Sequence, residues 1–208
     1  MEAHKLSRKE REFATRRHEI LDAALKLFSE KGFHNVTMQE IAQESEFAVG
    51  TLYKFFPNKE ALFEGLLRVY YDYHHSKLMD AIDGGNGEME SIRNFLKTHI
   101  SVFKDNLDWV RLYYGETRGG SFNIGQELRE EIREKHNHML EELAGIFKKG
   151  MNKRIFKKTD PYHLAIVLEA ITSAFSRHYY EKRDENAYNP DMIMKIFLES
   201  NLEGPVRN

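Results

Sequence analysis

The sequence contains no cysteine, only one tryptophan and only four prolines in 208 residues. Without cysteine, the chain can form no disulfide bond, no thiolate metal site and no cysteine nucleophile. No apolar run approaches the ~18 residues that a membrane-spanning helix needs; the longest candidate, residues 164–168, ends at Glu169. The opening stretch MEAHKLSRKEREF is too charged for a secretion signal. We therefore expect a cytoplasmic protein with no membrane segment.

The short motifs of common enzymes and metal sites are also missing. The chain has no GxSxG, no glycine-rich phosphate loop and no HExxH. His74 and His75 are adjacent, and His136 and His138 are two residues apart, so neither pair lies on one helical face as i, i+4 ligands do. We expect no enzyme activity, no metal site and no cofactor.

Acidic and basic residues nearly balance, with a formal net charge of −2, but the basic residues cluster near the start of the chain. Between positions 4 and 18 the only acidic residues are Glu10 and Glu12. The same stretch contains six basic residues: Lys5, Arg8, Lys9, Arg11, Arg16 and Arg17. For the first dozen residues, a frayed solvated terminus and a phosphate-binding arm both stay open. For Arg16 and Arg17, which lie nearer the first strong helix, we favour phosphate binding.

Apolar residues recur at three- and four-residue spacing along most of the chain, which predicts an all-α fold of about nine helices. No alternating strand pattern and no internal repeat is present. Turn and cap residues place the helices at about these positions: 15–31, 37–45, 49–56, 58–82, 88–104, 107–116, 121–151, 160–183 and 189–202. The helix 58–82 follows Pro57 and is long enough, at roughly 35 Å, to connect two domains.

Residues 37–63, TMQEIAQESEFAVGTLYKFFPNKEALF, predict a helix-turn-helix. Thr37 and Glu40 have the spacing of a capping box, which starts the first short helix. The second begins near Val49 and carries Thr51, Tyr53 and Lys54 before Pro57 ends it.

The stretch GTLYKFFPNKEALF, residues 50–63, resembles the signature of the tetracycline-repressor (TetR) family. With the preceding helix, the resemblance covers about the first quarter of the chain. It implies a three-helix DNA-binding domain, residues 1–57 with a basic N-terminal arm, and a helical ligand-binding and dimerisation domain, residues 58–208, with the helix 58–82 as connector.

The resemblance also implies which side chains contact double-stranded DNA. Thr37, Tyr53 and Lys59 fall where the family contacts phosphates, and Gln39, Val49, Thr51 and Lys54 fall where side chains reach base edges or the adjoining backbone. The full predicted DNA-binding set is Arg17, Thr37, Gln39, Val49, Gly50, Thr51, Tyr53, Lys54 and Lys59.

Three positions depart from the family pattern. Phe55 stands where a polar His or Tyr is common, Glu46 occupies a turn position where Gly is common, and Ala48 replaces a Ser-type helix cap. A non-glycine residue at positive φ carries strain, so Glu46 is expected to weaken or alter the turn. Together these departures suggest a modest affinity for DNA or a slightly altered turn.

The middle helices combine aromatic residues with a few polar ones, which is typical of a ligand pocket and is where the resemblance implies an inducer cavity. The predicted ligand-binding residues are Phe95, His99, Phe103, Trp109, Tyr113, Arg118, His136, Glu169 and Thr172. We expect a lipophilic or aromatic small molecule with an anionic group near Arg118. An all-apolar core is the competing interpretation.

The helices 160–183 and 189–202 mix small and apolar residues, and by resemblance they form a homodimer interface; packing within one chain is the alternative. The predicted function is a ligand-responsive DNA-binding transcriptional regulator, a repressor released from a near-palindromic operator by a small-molecule inducer. A helical small-molecule-binding or adaptor protein without specific DNA binding remains the alternative.

Overall fold

The structure, a computed structural model, describes residues 7–117, 125–184, 186 and 189–202, with the side chains of 113–117 and 200 left aside. Within these ranges the protein is all helical, which confirms the predicted fold class, and its one β-type pairing is an isolated bridge between Phe156 and Leu202. In chain order the elements are α1 (Arg8–Lys31), a 3-10 turn (Phe33–Asn35), α2 (Met38–Glu44), α3 (Val49–Phe55), α4 (Lys59–Asp83), α5 (Glu88–Asp105), α6 (Leu107–Thr117), α7 (Gln126–Asn152), α8 (Pro161–Lys182) and α9 (Pro190–Asn201).

Most predicted helix boundaries agree with the structure to within two residues, because local cap chemistry sets them. Asp160 and Asn189 each accept backbone N–H groups at a helix start, and each is followed by a proline at the first helical position. Gly32 ends α1 with a φ of 80°, a conformation that favours glycine. The glycine-rich stretch 84–87 separates α4 from α5, as predicted.

Two predicted helix starts differ from the structure. Helix α1 begins at Arg8 and not near residue 15, because Ser7 and Glu10 form a capping box that starts the helix two turns earlier. Helix α7 begins at Gln126, while the predicted start at residue 121 lies outside the described residues.

The chain divides into two compact units. The first contains Met1–Tyr70 and Leu107–Leu128, and the second contains Tyr71–Asn106 and Arg129–Asn208. The predicted domain boundary after residue 57 stays a prediction.

In the first unit, α1 packs against α2, the 3-10 turn and α6, and α2 packs against α3. Three phenylalanine rings form the centre: Phe28 lies 5.3 Å from Phe33 and 5.9 Å from Phe63 between ring centroids. Phe28, Ile41, Leu52 and Phe56 of this unit are buried, whereas Leu25 is half-buried.

In the second unit, α5 packs against α8 and α9. Phe147 lies at the centre, with ring centroids 5.3 Å from Phe156 and 5.5 Å from Phe197. Phe156 belongs to the connection between α7 and α8, and its ring lies directly on Gly150, where any Cβ would overlap it. Gly150 is therefore needed for the close approach of this loop to α7.

Candidate nucleic-acid interface

The capping box at the start of α2 is present, as predicted. The Thr37 hydroxyl accepts the backbone N–H of Glu40 at 3.2 Å, and the Glu40 carboxylate accepts the Thr37 N–H at 2.9 Å. Lys31 Nζ also donates to this carboxylate at 2.8 Å. Hydrogen bonds from Lys31 and Thr37 lower the pKa of Glu40 to about 2. These contacts hold the first turn of α2 against the end of α1.

The turn between α2 and α3 has both of the unusual features predicted from its residues. Glu46 adopts a φ of 58°, the left-handed region that costs a non-glycine residue energy. The next residue satisfies a carbonyl at the end of α2, since the Phe47 N–H donates to the Ala42 carbonyl at 2.9 Å. Ala48 caps α3 without a side-chain hydrogen bond. The turn is thus held by backbone hydrogen bonds and by the Ser45 hydroxyl, which donates to the Ile41 carbonyl at 2.7 Å.

Helix α3 buries one residue and exposes a continuous face. Leu52 is fully buried, whereas Val49 and Tyr53 are 36% and 49% exposed, and Gly50 and Lys54 are exposed beside them. A Cβ at Gly50 would meet no atom within 4 Å, so packing within the chain does not require glycine there. Packing within the described part of the chain therefore does not explain why this position is glycine.

Helix α2 adds further exposed polar groups. Thr37 and Gln39 are both exposed, on the helix that packs against α3. The Thr37 hydroxyl is already engaged with Glu40, and Thr51 of α3 is half-buried. The structure therefore brings the predicted α2 and α3 residues onto two adjoining helices of one motif. Their contacts with DNA stay predictions.

Lys59 has a structural role that the sequence did not indicate. Its ammonium group donates to the carbonyls of Phe33 and Val36, each at 2.8 Å, and lies 4.3 Å from the Phe33 ring centroid. These contacts tie the first turn of α4 to the segment that leads into α2. An ammonium has three N–H donors, and two are used here. The predicted phosphate contact of Lys59 stays a prediction.

Arg17 is half-buried beside α4. Its guanidinium lies 5.0 Å from the Phe56 ring centroid, and a Cβ on Gly65 would come within 3.0 Å of it. Burial, and secondarily the charge of Arg68, lower the pKa of Arg17. Packing explains the position of this side chain, and its predicted DNA contact stays a prediction.

The N-terminal half of α1 was not recognised as an ordered part of this region. Phe13 of α1 contacts Phe55 of α3 at 4.4 Å between ring centroids, and an open cleft of about 330 Å³ lies between α1 and Phe47. The sequence does indicate a helix start here, because Ser7 and Glu10 have the spacing of a capping box.

The predicted ligand-binding residues are distributed over both units. Phe95, Phe103 and Thr172 are buried in the second unit, and Glu169 accepts a hydrogen bond from Ser173 at 2.6 Å. His136 is exposed on α7. Trp109 belongs to the first unit, where it stacks on Tyr70 at 3.9 Å. The side chain of Tyr113 and all of Arg118 lie outside the described residues.

Two histidines lie together in the second unit. His99 contacts His74 at 5.3 Å between ring centroids, with Phe95 at 6.1 Å. Burial lowers the pKa of His99 to about 3 and that of His74 to about 4, so both imidazoles are neutral at pH 7. His74 was not among the predicted ligand-binding residues, because its position on α4 identified it only as part of an apolar stripe.

Over the described ranges, no helix is long and apolar enough to cross a membrane. Within the same ranges, His, Asp and Glu side chains form no group of three or more that could hold a metal ion.

Comparison with known proteins identifies the motif. Residues 20–66 match the family model described as bacterial regulatory proteins, tetR family. Over 162 residues the chain is 27% identical to the uncharacterized HTH-type transcriptional regulator YuxN of Bacillus subtilis, in a match spanning 75% of this chain but only 52% of YuxN. It is 24% identical over 193 residues to the HTH-type transcriptional repressor KstR2 of Rhodococcus jostii, covering 91% of this chain and 90% of that protein.

The fold is also similar to a solved structure. The transcriptional regulator FadR from Bacillus subtilis, in complex with stearoyl-CoA, superposes with a TM-score of 0.71 and 20% identity. The match covers 87% of this chain and 97% of that one. At this identity the similarity establishes the fold.

Proposed function

The chain belongs to the tetR family of bacterial regulatory proteins, and from this premise we propose that it is a homodimeric repressor released from a near-palindromic operator by a small-molecule inducer. The observation that carries the proposal is the open face of α3. This seven-residue helix buries Leu52 and leaves Val49, Gly50, Tyr53 and Lys54 accessible, inside the segment that matches the family. Because the operator is part of a bacterial chromosome, the protein acts in the cytoplasm.

Side chains in this face suit two kinds of DNA contact. The Tyr53 phenol and the Lys59 ammonium donate to phosphate oxygens, which position the protein without reading sequence, and the Thr37 hydroxyl joins them by exchanging its Glu40 acceptor for a phosphate. Lys54 and Gln39 hydrogen-bond to base edges in the major groove, while Val49 and Thr51 contribute apolar and hydroxyl contacts. Gly50 leaves room for the DNA backbone or a base edge to approach α3.

A dimer contacts enough base pairs to specify an operator. One short recognition helix contacts few base pairs, whereas two copies read half-sites about one helical turn, ~34–36 Å, apart. Three large apolar side chains are exposed on the last two helices: Ile166, Val167 and Ile196, at 41%, 43% and 44%. We assign the interface to residues 160–183 and 189–202, where a second copy covers these side chains.

The inducer is a lipophilic or aromatic small molecule bound in the larger helical region, with Phe95, Phe103 and the neutral His99 among its contacts. The similar FadR structure carries stearoyl-CoA, which supports a ligand with a long apolar part. Helix α4, which contributes residues to both units, transmits the change. The inducer shifts the equilibrium only by its difference in affinity between the two conformers, about 1–3 kcal/mol of coupling.

The test is a salt-dependent gel shift with the DNA upstream of the protein's own gene, together with sedimentation equilibrium of the free protein. We expect a dimer that binds this DNA in preference to an unrelated duplex of equal length. Changing Val167 to glutamate should yield monomers that bind weakly. A wild-type monomer, or equal affinity for both duplexes at every salt concentration, would contradict the proposal and favour an adaptor without specific DNA binding.

A further inference from the structure

The basic residues from Arg8 to Arg17 lie on the N-terminal half of α1, which begins with a capping box. Ser7 caps α1 with its hydroxyl on the Glu10 N–H, and the Glu10 carboxylate accepts the Ser7 N–H at 2.7 Å. The helix starting at Arg8 is therefore stabilised before it reaches the core residues at Ile20 and Leu21.

This part of α1 lies beside the recognition helix. Phe13 packs on Phe55, the last residue of α3. The residues of α1 on either side of Phe13 line the open cleft, which Phe47 also lines. Phe47 comes two residues before the start of α3, so the Phe13–Phe55 contact and the cleft lie at opposite ends of that helix.

Three guanidinium groups border the cleft, and together they define the α1 basic face: Arg8, Arg11 and Arg16. Two carboxylates, Glu12 and Glu19, share the cleft, and Glu12 accepts a hydrogen bond from Arg8 Nε at 2.9 Å. The cleft measures about 330 Å³ and is open to solvent, so these side chains are accessible to a large partner. None of the three arginines belongs to the DNA-binding set predicted from the family pattern, although their charge alone favoured phosphate binding for Arg16 and left it open for Arg8 and Arg11.

We propose that the α1 basic face is a second DNA-binding surface, on which Arg8, Arg11 and Arg16 bind backbone phosphates flanking the groove that α3 enters. This inference rests on the proposed function, because it requires α3 in the major groove. Recognition helices enter the groove with their N-terminal residues, and the cleft lies at that end of α3. The major groove is about 12 Å wide and a helix with its side chains about 10–12 Å across, so the neighbouring helix faces the phosphate backbone.

The carboxylates modulate this surface. Glu12 holds Arg8 in an exposed ion pair, with side chains 88% and 53% exposed, which competes weakly with a phosphate. Removing the Glu12 charge should release Arg8 to the DNA and reduce repulsion of the backbone. The surface carries no groups placed to read bases, and its contribution is therefore independent of sequence.

The experiment measures the association constant of the full-length protein as a function of NaCl concentration, on the operator duplex and on an unrelated duplex. The test protein carries Arg8→Gln, Arg11→Gln and Arg16→Gln together. The matched control removes the same charge from exposed residues of the second unit, with Lys97→Gln, Arg133→Gln and Lys148→Gln. Circular dichroism confirms that both variants keep the wild-type helix content.

Each lost phosphate contact should lower the slope of log K against log [salt] by about 0.9, so the triple variant should lose about 2.7 in slope. Its affinity should fall by the same factor on both duplexes, and Glu12→Gln should bind both more tightly than wild type. A slope equal to that of the wild type, or an equal loss in the control variant, overturns the inference while leaving the repressor in place. If the wild-type protein binds neither duplex at low salt, the proposed function itself has failed.

Discussion

The face of α3 in the first unit and the region of Phe95 and His99 in the second unit differ in how far their side chains are exposed. In the first unit, Tyr53 of α3 is 49% exposed and Lys54 is exposed beside it. In the second, Phe95 is fully buried and His99 is neutral because burial lowers its pKa. Exposed chemistry suits a surface that meets a large partner, whereas enclosed chemistry suits a core or a small ligand. The difference shows where substitution should affect binding and where it should affect stability.

Truncating one aromatic residue in each unit gives the largest expected contrast. Phe95→Ala should lower the free energy of unfolding by about 3–5 kcal/mol, because it leaves a cavity in a closed core. Tyr53→Ala should change it by less than about 0.5 kcal/mol but weaken DNA binding. Urea denaturation and gel shifts on both variants check this. Comparable destabilisation by the two substitutions would remove the distinction between the units.

Acid sensitivity should arise in the second unit. In the folded protein the pKa of His74 is about 4 and that of His99 about 3, both below the ordinary 6.5. Between about pH 4 and 6.5 the unfolded chain binds these protons and the folded chain does not, so stability is lost as pH falls. Each imidazole contributes up to about 1.4 kcal/mol per pH unit.

Replacing His99 with asparagine removes one of these two titrations. The slope of unfolding free energy against pH, measured by urea denaturation from pH 7 to 5, should become shallower in the variant. Exposed His136 provides the control, and His136→Asn should leave the slope unchanged. If both variants retained the wild-type slope, His99 would not be held neutral by burial.

Lys59 and Lys54, two lysines of the predicted DNA-binding set, should also respond differently to substitution. Lys59 donates to the Phe33 and Val36 carbonyls, whereas Lys54 is exposed on α3. Lys59→Met should cost about 2 kcal/mol of unfolding free energy, since it removes charge-assisted hydrogen bonds to part-buried acceptors. Lys54→Met should cost less than about 0.5 kcal/mol. Chemical denaturation distinguishes them, and equal values would show that the Lys59 contacts contribute nothing to stability.

Local sequence predicted the parts of the site that depend on neighbouring residues. The capping box of Thr37 and Glu40, the positive φ of Glu46 and the uncapped start of α3 follow from residues a few positions apart, and the structure contains all three. The same local logic applies to the start of α1, where Ser7 caps the helix, but the density of charge there left a frayed terminus and a phosphate-binding arm both open.

Contacts between distant residues could not be predicted in this way. The carbonyls that bind Lys59 lie 26 and 23 positions earlier in the chain, and helical periodicity does not report such pairs. Trp109 fitted an aromatic pocket by its type and position, yet it stacks on Tyr70 in the first unit. Residue type predicts which functional groups are present, whereas the packing of the chain determines which residues each group contacts.

The most direct test of the account is selection of bound sequences from random DNA by the wild-type protein and by Lys54→Ala. We expect the wild type to select two inverted half-sites about one helical turn apart, and the variant to lose preference at the same position in each half-site while keeping the rest. Unchanged preferences at every position, or no inverted repeat from the wild type, would contradict the assignment of α3 as the helix that reads DNA.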